Sequence, residues 1–267
     1  ADMTSLVTLT TDFGTSSGYV AQMKGSFFKT LVDGTQANAS TPATYQLVDL
    51  AHDIPEHNIR AAAWFAATSC FYFPADTLHV IVIDPGVGTS RQIIYAEMGD
   101  QRFLAPNNGL LSFAAKQHPP TVIRPLTTEH PTSKTFHGRD IFAPTAAHLV
   151  CGDTSCLGPP IPELFSLSWP EPQKHQSSVV GEIIHIDHFG NLITNLPDTL
   201  ASSLHATSQL SCDGTPIHHI VSTYGEEKKG TLVGLAGSQS YLEIAVVEGR
   251  ADHHLHASIG TPVRIDY

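Results

Sequence analysis

Charged residues are scarce in this sequence. Asp, Glu, Lys and Arg make up 15% of its 267 residues, against about 25% in soluble proteins generally. A surface so short of charge suggests that other subunits cover part of it. Cations are scarcer still: 14 Lys and Arg stand against 25 Asp and Glu, for a formal net charge of −11, and they form no block anywhere. Counterion release therefore gives nucleic acid little reason to bind, and no nucleic-acid partner is expected. Sixteen histidines would shrink the negative charge at acid pH. No apolar run approaches the roughly 18 residues of a membrane span, so no membrane partner is expected either. The start, Ala1-Asp-Met-Thr-Ser5, carries neither a basic nor an apolar leader region, which points to a cytoplasmic enzyme.

Familiar cofactor signatures are missing too. The four cysteines, Cys70, Cys151, Cys156 and Cys212, show no C-x-x-C pair and no finger spacing, so free thiols are expected rather than a Cys151–Cys156 bridge. There is no Walker sequence and no H-E-x-x-H. Gly86-Val-Gly88 opens like a dinucleotide fingerprint, but Arg91 occupies the third glycine position. Asp12-Phe13-Gly14 spells the kinase magnesium motif with no catalytic loop ahead of it. His218-His219 and His253-His254-Leu-His256 read as surface histidines rather than a metal site. No metal and no cofactor are expected.

What is present is an alternation of strands and helices up to about residue 150. Leu6–Leu9, Tyr45–Leu50 and the continuous apolar run Thr77–Ile83 read as strands, the last buried on both faces. Helical faces fall at Gly18–Leu31, His57–Phe71 and Asp140–Val150, with a shorter helix opening at Asn108-Gly109; a hairpin turns at Gly99-Asp100. This pattern predicts a three-layer α/β domain over residues 1–157 with a central, mainly parallel sheet. Pro159, Pro160, Pro162, Pro170 and Pro172 mark residues 158–178 as a semi-rigid linker. Beyond it, short β-like runs without a long helical face predict a small β-barrel-like domain over 179–267.

Two stretches concentrate chemistry: Asp84-Pro-Gly-Val-Gly-Thr-Ser-Arg91 and Phe136-His-Gly-Arg-Asp140. Asp84 ends a buried strand, a glycine-containing turn can return Arg91 to it, and His137 adds an imidazole; such a set can hold and deprotonate water. Asp12 sits at the carboxyl end of the first strand, where an acid either caps a turn or accepts ribose hydroxyls. Asp187-His-Phe-Gly-Asn191 reads as a tight turn whose Phe189 and Asn191 could stack on and read an adenine, or belong to an ordinary hairpin.

Seven pieces in order resemble the S-adenosyl-L-methionine hydroxide adenosyltransferase family, relatives of the fluorinase and chlorinase: Thr11-Asp-Phe-Gly14, Gln22-Met-Lys-Gly25, His52-Asp-Ile-Pro55, Asp84-Pro-Gly-Val-Gly88, Ala105-Pro-Asn-Asn-Gly109, Phe136-His-Gly-Arg-Asp140 and Asp187-His-Phe-Gly-Asn191. The resemblance implies a homotrimer with sites between subunits, and a metal-free reaction of S-adenosylmethionine with water giving adenosine and L-methionine. It assigns Asp84, Arg91 and His137 to water activation, Asp12 to the ribose hydroxyls, Phe189 and Asn191 to adenine, and Asp187 and Ser238 to the methionine ammonium and carboxylate. Halogenating relatives carry an aromatic where Asp84 stands and a halide-holding serine where Gly138 stands, so hydrolysis is expected over halogenation. Ser17 replaces an acidic methionine contact of relatives, and Gln239 an arginine of the fluorinase, which leaves recognition of the amino-acid tail open. Either His137 takes the proton, or Asp84 and Arg91 bind hydroxide while His137 orients it. The alternatives to the hydrolase are a halogenase on the same substrate and a non-catalytic adenosine or S-adenosylmethionine sensor.

Overall fold

A computed structural model describes residues 5–35, 44–127, 135–202, 204 and 208–267 of the chain. The chain divides into two compact units, Ala1–Leu167 and Ser168–Tyr267.

In the first unit β1 (Ser5–Thr11), α1 (Tyr19–Thr35), β2 (Tyr45–Ala51), α2 (Ile59–Ser69), β3 (Leu78–Val82), β4 (Ile93–Met98), β5 (Gln101–Pro106), α3 (Ser112–Gln117), β6 (Pro120–Pro125) and α4 (Ala143–Val150) follow one another. The six strands form one sheet in the order β2-β1-β3-β5-β4-β6. The β2-β1-β3-β5 part is parallel, and β4 runs antiparallel to both β5 and β6. Parallel neighbours need helical crossovers, which cover the sheet and explain why all five residues of β3 are buried. Val7, Leu9, Val80 and Val82 pack in one core with Met23 and Phe27 of α1 and Ala146, Ala147 and Val150 of α4. Trp64 of α2 stacks on Phe113 of α3, with ring centroids 5.8 Å apart. The mainly parallel α/β layering expected from the sequence is present.

Several local expectations shift. The short helix starts at Ser112 rather than Asn108, because Asn108 is tied down as a turn: its Nδ2 donates to Ile83 O at 3.0 Å and its Oδ1 accepts from Leu110 N at 3.2 Å. Gly138–Phe142 is a π-helical turn preceding α4 rather than ordinary α-helix. The first half of the proline-rich stretch is fastened to the first unit, with Ile161 N donating to Ile123 O and Leu167 N to Ser112 Oγ. All four cysteines are free thiols. Burial pushes Cys70 up to about 12, so it is an inert core residue.

The second unit contains β7 (Gln173–Lys174), β8 (Ser178–Ile186), β9 (Leu192–Pro197), α5 (Thr199–Ser202), β10 (Gln209–Cys212), β11 (Thr215–Ile217), β12 (His219–Ile220), β13 (Leu232–Ala236), β14 (Tyr241–Val246), α6 (Ala251–Leu255) and β15 (Pro262–Asp266). Its sheet runs β11-β10-β15-β8-β9-β14-β13-β12, with β7 added on β8, and curls into a nearly closed, barrel-like layer around Val179, Ile183, Leu242, Ile244, Val263 and Ile265. This matches the small β domain read from the sequence. Among the described residues no helix is long and apolar enough to cross a membrane.

One core group makes the first unit sensitive to acid. His79 on β3 is fully buried, with Nδ1 at 2.7 Å from Thr8 Oγ1 and Nε2 at 3.1 Å from Gln101 Oε1. Burial pulls its pKa down to about 4, although the Gln101 bond opposes this. The folded value lies below the ordinary 6.5, so between the two the unfolded chain binds a proton that the folded chain refuses. Stability is therefore full above pH 6.5 and should decline by about 3 kcal/mol as pH falls to 4. Thermal melts across this range should show that decline in the wild type and a flatter one in His79→Gln; identical slopes would assign the effect to another group.

Candidate active site

β1 and β3 are adjacent in the sheet, and each leads directly to an acid beyond its carboxyl end, Asp12 and Asp84. Ligands of open α/β sheets settle at that edge. Asp12, Asp84 and His137 line one cleft of about 340 Å³, together with Ser17, Glu56 and His57.

Residues 84–91 fold into two successive turns, with Val87 N donating to Asp84 O and Thr89 N to Gly86 O, each at 3.1 Å. The Thr89 hydroxyl donates to Gly86 O at 2.6 Å and accepts from Arg91 N at 3.4 Å. A β carbon on Gly86 would lie 3.2 Å from Arg91 Cγ and 3.3 Å from Thr89 Oγ1, so the glycine leaves room for the returning arginine. Arg91 Nε donates to both Asp84 oxygens, at 2.9 and 2.8 Å, and Nη2 makes a further short bond to Oδ2. The two side chains are 12% and 5% exposed, so this pair is largely removed from water.

Arg91 also reaches His137, with Nη2 2.7 Å from Nδ1. A guanidinium has donors and no acceptor, so Nδ1 must accept, and a neutral ring then carries its proton on Nε2. The hydrogen-bond pattern thus settles the tautomer. His137 immediately precedes the π-helical turn, where Ala143 N bonds to Gly138 O across five residues; such turns are frequent at functional sites.

A β carbon on Gly138 would lie 3.0 Å from Met23 Sδ, 3.1 Å from Phe136 Cε2 and 3.3 Å from Phe13 Cε2. Phe13, Tyr19 and Phe136 meet edge to face, with centroids 5.2 to 5.9 Å apart, as an apolar wall of the same cleft. Arg139 lies over Phe136 with Cζ 5.1 Å from the ring centroid, donates to Asp140 Oδ1 at 2.6 Å and to Gln22 Oε1 at 3.0 Å. The second Arg/Asp pair of the motif therefore braces the wall. Asp12 Oδ2 accepts from His57 N at 2.9 Å.

The remaining candidates belong to the second unit. Asp187 and Asn191 close the β8–β9 turn on each other: Asn191 N donates to Asp187 Oδ1 at 2.9 Å and Nδ2 to Oδ2 at 3.0 Å. Gly190 at φ +83° completes the turn, where a β carbon would strike Asp252 Oδ1 at 2.5 Å. Phe189 projects from it, 71% exposed. Ser238 is exposed in the separate turn between β13 and β14, closed by Ser240 N donating to Gly237 O. Near these lies a carboxylate that sequence reading passed over. Glu243 accepts a short bond from the Tyr224 hydroxyl; burial pushes its carboxyl up against that bond, and Asp187 adds to the rise. An acid in a β-strand between apolar neighbours was the available signal.

The sequence matches the family models for the SAM hydroxide adenosyltransferase N-terminal domain over residues 7–157 and C-terminal domain over residues 181–264. The chain belongs to this family. An (R)-S-adenosyl-L-methionine hydrolase of Thermus thermophilus is 34% identical over 268 residues, covering 95% of this chain and 96% of that relative. A fluorinase of Nocardia brasiliensis is 24% identical over 97% of both chains. The crystal structure of an uncharacterized conserved protein from Thermotoga maritima superposes with a TM-score of 0.81 at 30% identity, covering 99% of this chain and all of that one. Across the adenosyltransferase family and these relatives, the full-length match lies on the hydrolase side at higher identity than on the fluorinase side.

Proposed function

We propose that this protein hydrolyses S-adenosyl-L-methionine to adenosine and L-methionine, and that its preferred substrate is the (R) epimer at sulfur for which its hydrolase relatives are named. The observation that carries the reading is the Arg91 bridge, which gathers a carboxylate and an imidazole in the cleft that also holds Asp12. In the reaction water attacks C5′ as the C5′–S bond breaks. The bonding pair passes to sulfur, the thioether of methionine leaves neutral, and one proton is released. A sulfonium leaves without acid catalysis, so the demand falls on the nucleophile, since bulk water has a pKa near 15.7.

The tautomer argues against His137 as base: its Nδ1 lone pair is engaged by Arg91, and Nε2 carries a proton. Asp84 is then the proton acceptor, Arg91 offsets the charge developing beside it, and His137 orients the oxygen through Nε2–H. With Asp84 neutralised by Arg91, Asp12 and Glu56 give the cleft a field that favours a cationic substrate over its uncharged products. Asp12 receives the ribose hydroxyls, Phe189 and Asn191 the adenine, and Asp187 and Ser238 the methionine tail. The glycine at 138 supports water over halide, because the halide-holding serine of halogenating relatives is missing and a side chain there would press on Met23 and Phe136 by a few tenths of an ångström. A cytoplasmic homotrimer with sites between subunits completes the proposal. It is supported by the low charge content and by exposed Tyr19, Phe28 and Phe189.

Incubation with each epimer, with and without chloride, followed by chromatography should give adenosine and methionine in equal amounts, faster from (R). Binding without adenosine at stoichiometric enzyme would leave a sensor, and 5′-chloro-5′-deoxyadenosine would make the protein a halogenase.

A further inference from the structure

A second chain of polar contacts runs behind Asp12. The register of β1 on β2 slips between Leu9 and Thr10, so that Thr10 pairs with Ala51. Such a bulge re-aims the strand end, and here Thr11 meets His52. Thr11 is fully buried and His52 nearly so. Thr11 Oγ1 accepts from Phe13 N at 3.3 Å, and lies 2.9 Å from His52 Nδ1. His52 Nε2 stands 3.0 Å from Asp49 Oδ1, without hydrogen-bond alignment. Asp49 Oδ2 in turn accepts from Lys24 Nζ of α1 at 2.6 Å. Burial opposes ionisation of Asp49, but Lys24 and His52 more than offset it and hold its carboxyl below the usual range. His52 O also accepts from Gly14 N at 2.7 Å, with Gly14 at φ +67°.

Thr11 and His52 therefore bracket Asp12-Phe13 from both sides, by side chain at residue 11 and by backbone at residue 14. Within the cleft, Asp12 Oδ2 accepts the His57 N–H on the far side. A turn fixed at both ends presents the Asp12 carboxylate in one orientation before a ligand arrives, which lowers the cost of ordering it on binding. We infer that Thr11 and His52, backed by Asp49 and Lys24, are positioning residues that set the Asp12 carboxylate for a ribose diol. The inference rests on the adenosyl reading of the cleft and assigns a role to residues outside it: Thr11, His52, Asp49 and Lys24 do not line the cleft.

The test is calorimetric binding of adenosine and of 2′,3′-dideoxyadenosine to wild type, Thr11→Val and Thr11→Ser. Valine keeps the shape and removes the hydroxyl; serine restores it. Adenosine should bind about tenfold more weakly to Thr11→Val, the scale of one to two lost hydrogen bonds. The dideoxy ligand should change by less than about twofold, because without hydroxyls it cannot use a well-aimed Asp12. Thr11→Ser should return to near wild type for both. If Thr11→Val does not fold, His52→Gln serves as the second variant and should show the same selectivity. Equal weakening of the two ligands would overturn the positioning role and leave only structural support. Failure of adenosine to bind wild type would instead overturn the adenosyl reading itself, so the two failures are distinguishable.

Discussion

Asp84→Asn is expected to lower kcat by about 10³-fold, within the range typical of a general base, while adenosine affinity changes by no more than a few-fold. Asparagine is nearly isosteric and its oxygen can still accept from Arg91, so the guanidinium and His137 stay in place; what it cannot do is take a proton. His137→Ala should cost less, roughly 10- to 50-fold, if the ring orients the nucleophile as proposed rather than deprotonating it. Initial rates with (R)-S-adenosylmethionine and calorimetry with adenosine measure the two quantities separately. A loss in His137→Ala as large as that in Asp84→Asn would return the proton to the imidazole. Collapse of adenosine affinity in both variants would make these residues pocket structure.

Arg91→Met should remove both activity and stability. The arginine bonds Asp84 and His137 at once, so kcat should fall by about 10³-fold or more. The Asp84 carboxylate, 5% exposed, would be left buried without its cation. Breaking one side of a buried pair costs roughly 3–5 kcal/mol, and the thermal midpoint should fall accordingly. The double variant Asp84→Asn/Arg91→Met should recover most of that stability without recovering activity, since the buried charge is gone but the machinery is not restored. Arg91→Lys should resemble Arg91→Met in rate, because an ammonium cannot fork between carboxylate and imidazole as a guanidinium does. If the double variant were no more stable than Arg91→Met, the pair would carry no buried-charge penalty.

The strands that read clearly in the sequence are those buried on both faces. Val80-Ile-Val-Ile83 is a run that few other structures could accommodate, and β3 follows it closely. β6 escaped notice because it is an edge strand bracketed by Pro120 and Pro125, which blunt its apolar signal. The short strands β10 to β12 lie toward the two ends of the second sheet, where β10 and β11 form a tight hairpin and β12 pairs with β13. The π-helical turn at Gly138–Phe142 has the composition of a helix start, and the residues beside it, Phe136 and Gly138, pack close to Tyr19 and Met23 of α1.

By itself, the sequence determined that this is an α/β unit followed by a β unit, that acids stand at strand ends, and which residue types are available for water chemistry. Those conclusions rest on period, composition and motif order, all of which are local. Only the tertiary structure decided how the groups share their hydrogen bonds. It gave Arg91 to Asp84 and His137 together, and that shared contact is the ground on which aspartate rather than histidine is proposed as the proton acceptor. It also turned Gln22, Lys24, Asp49 and His52, family markers or unremarked residues in the sequence, into the supports behind the cleft. Apart from Asp49 with His52, these contacts join residues 25 to 117 positions apart, and no local pattern can specify which distant side chain a donor will find.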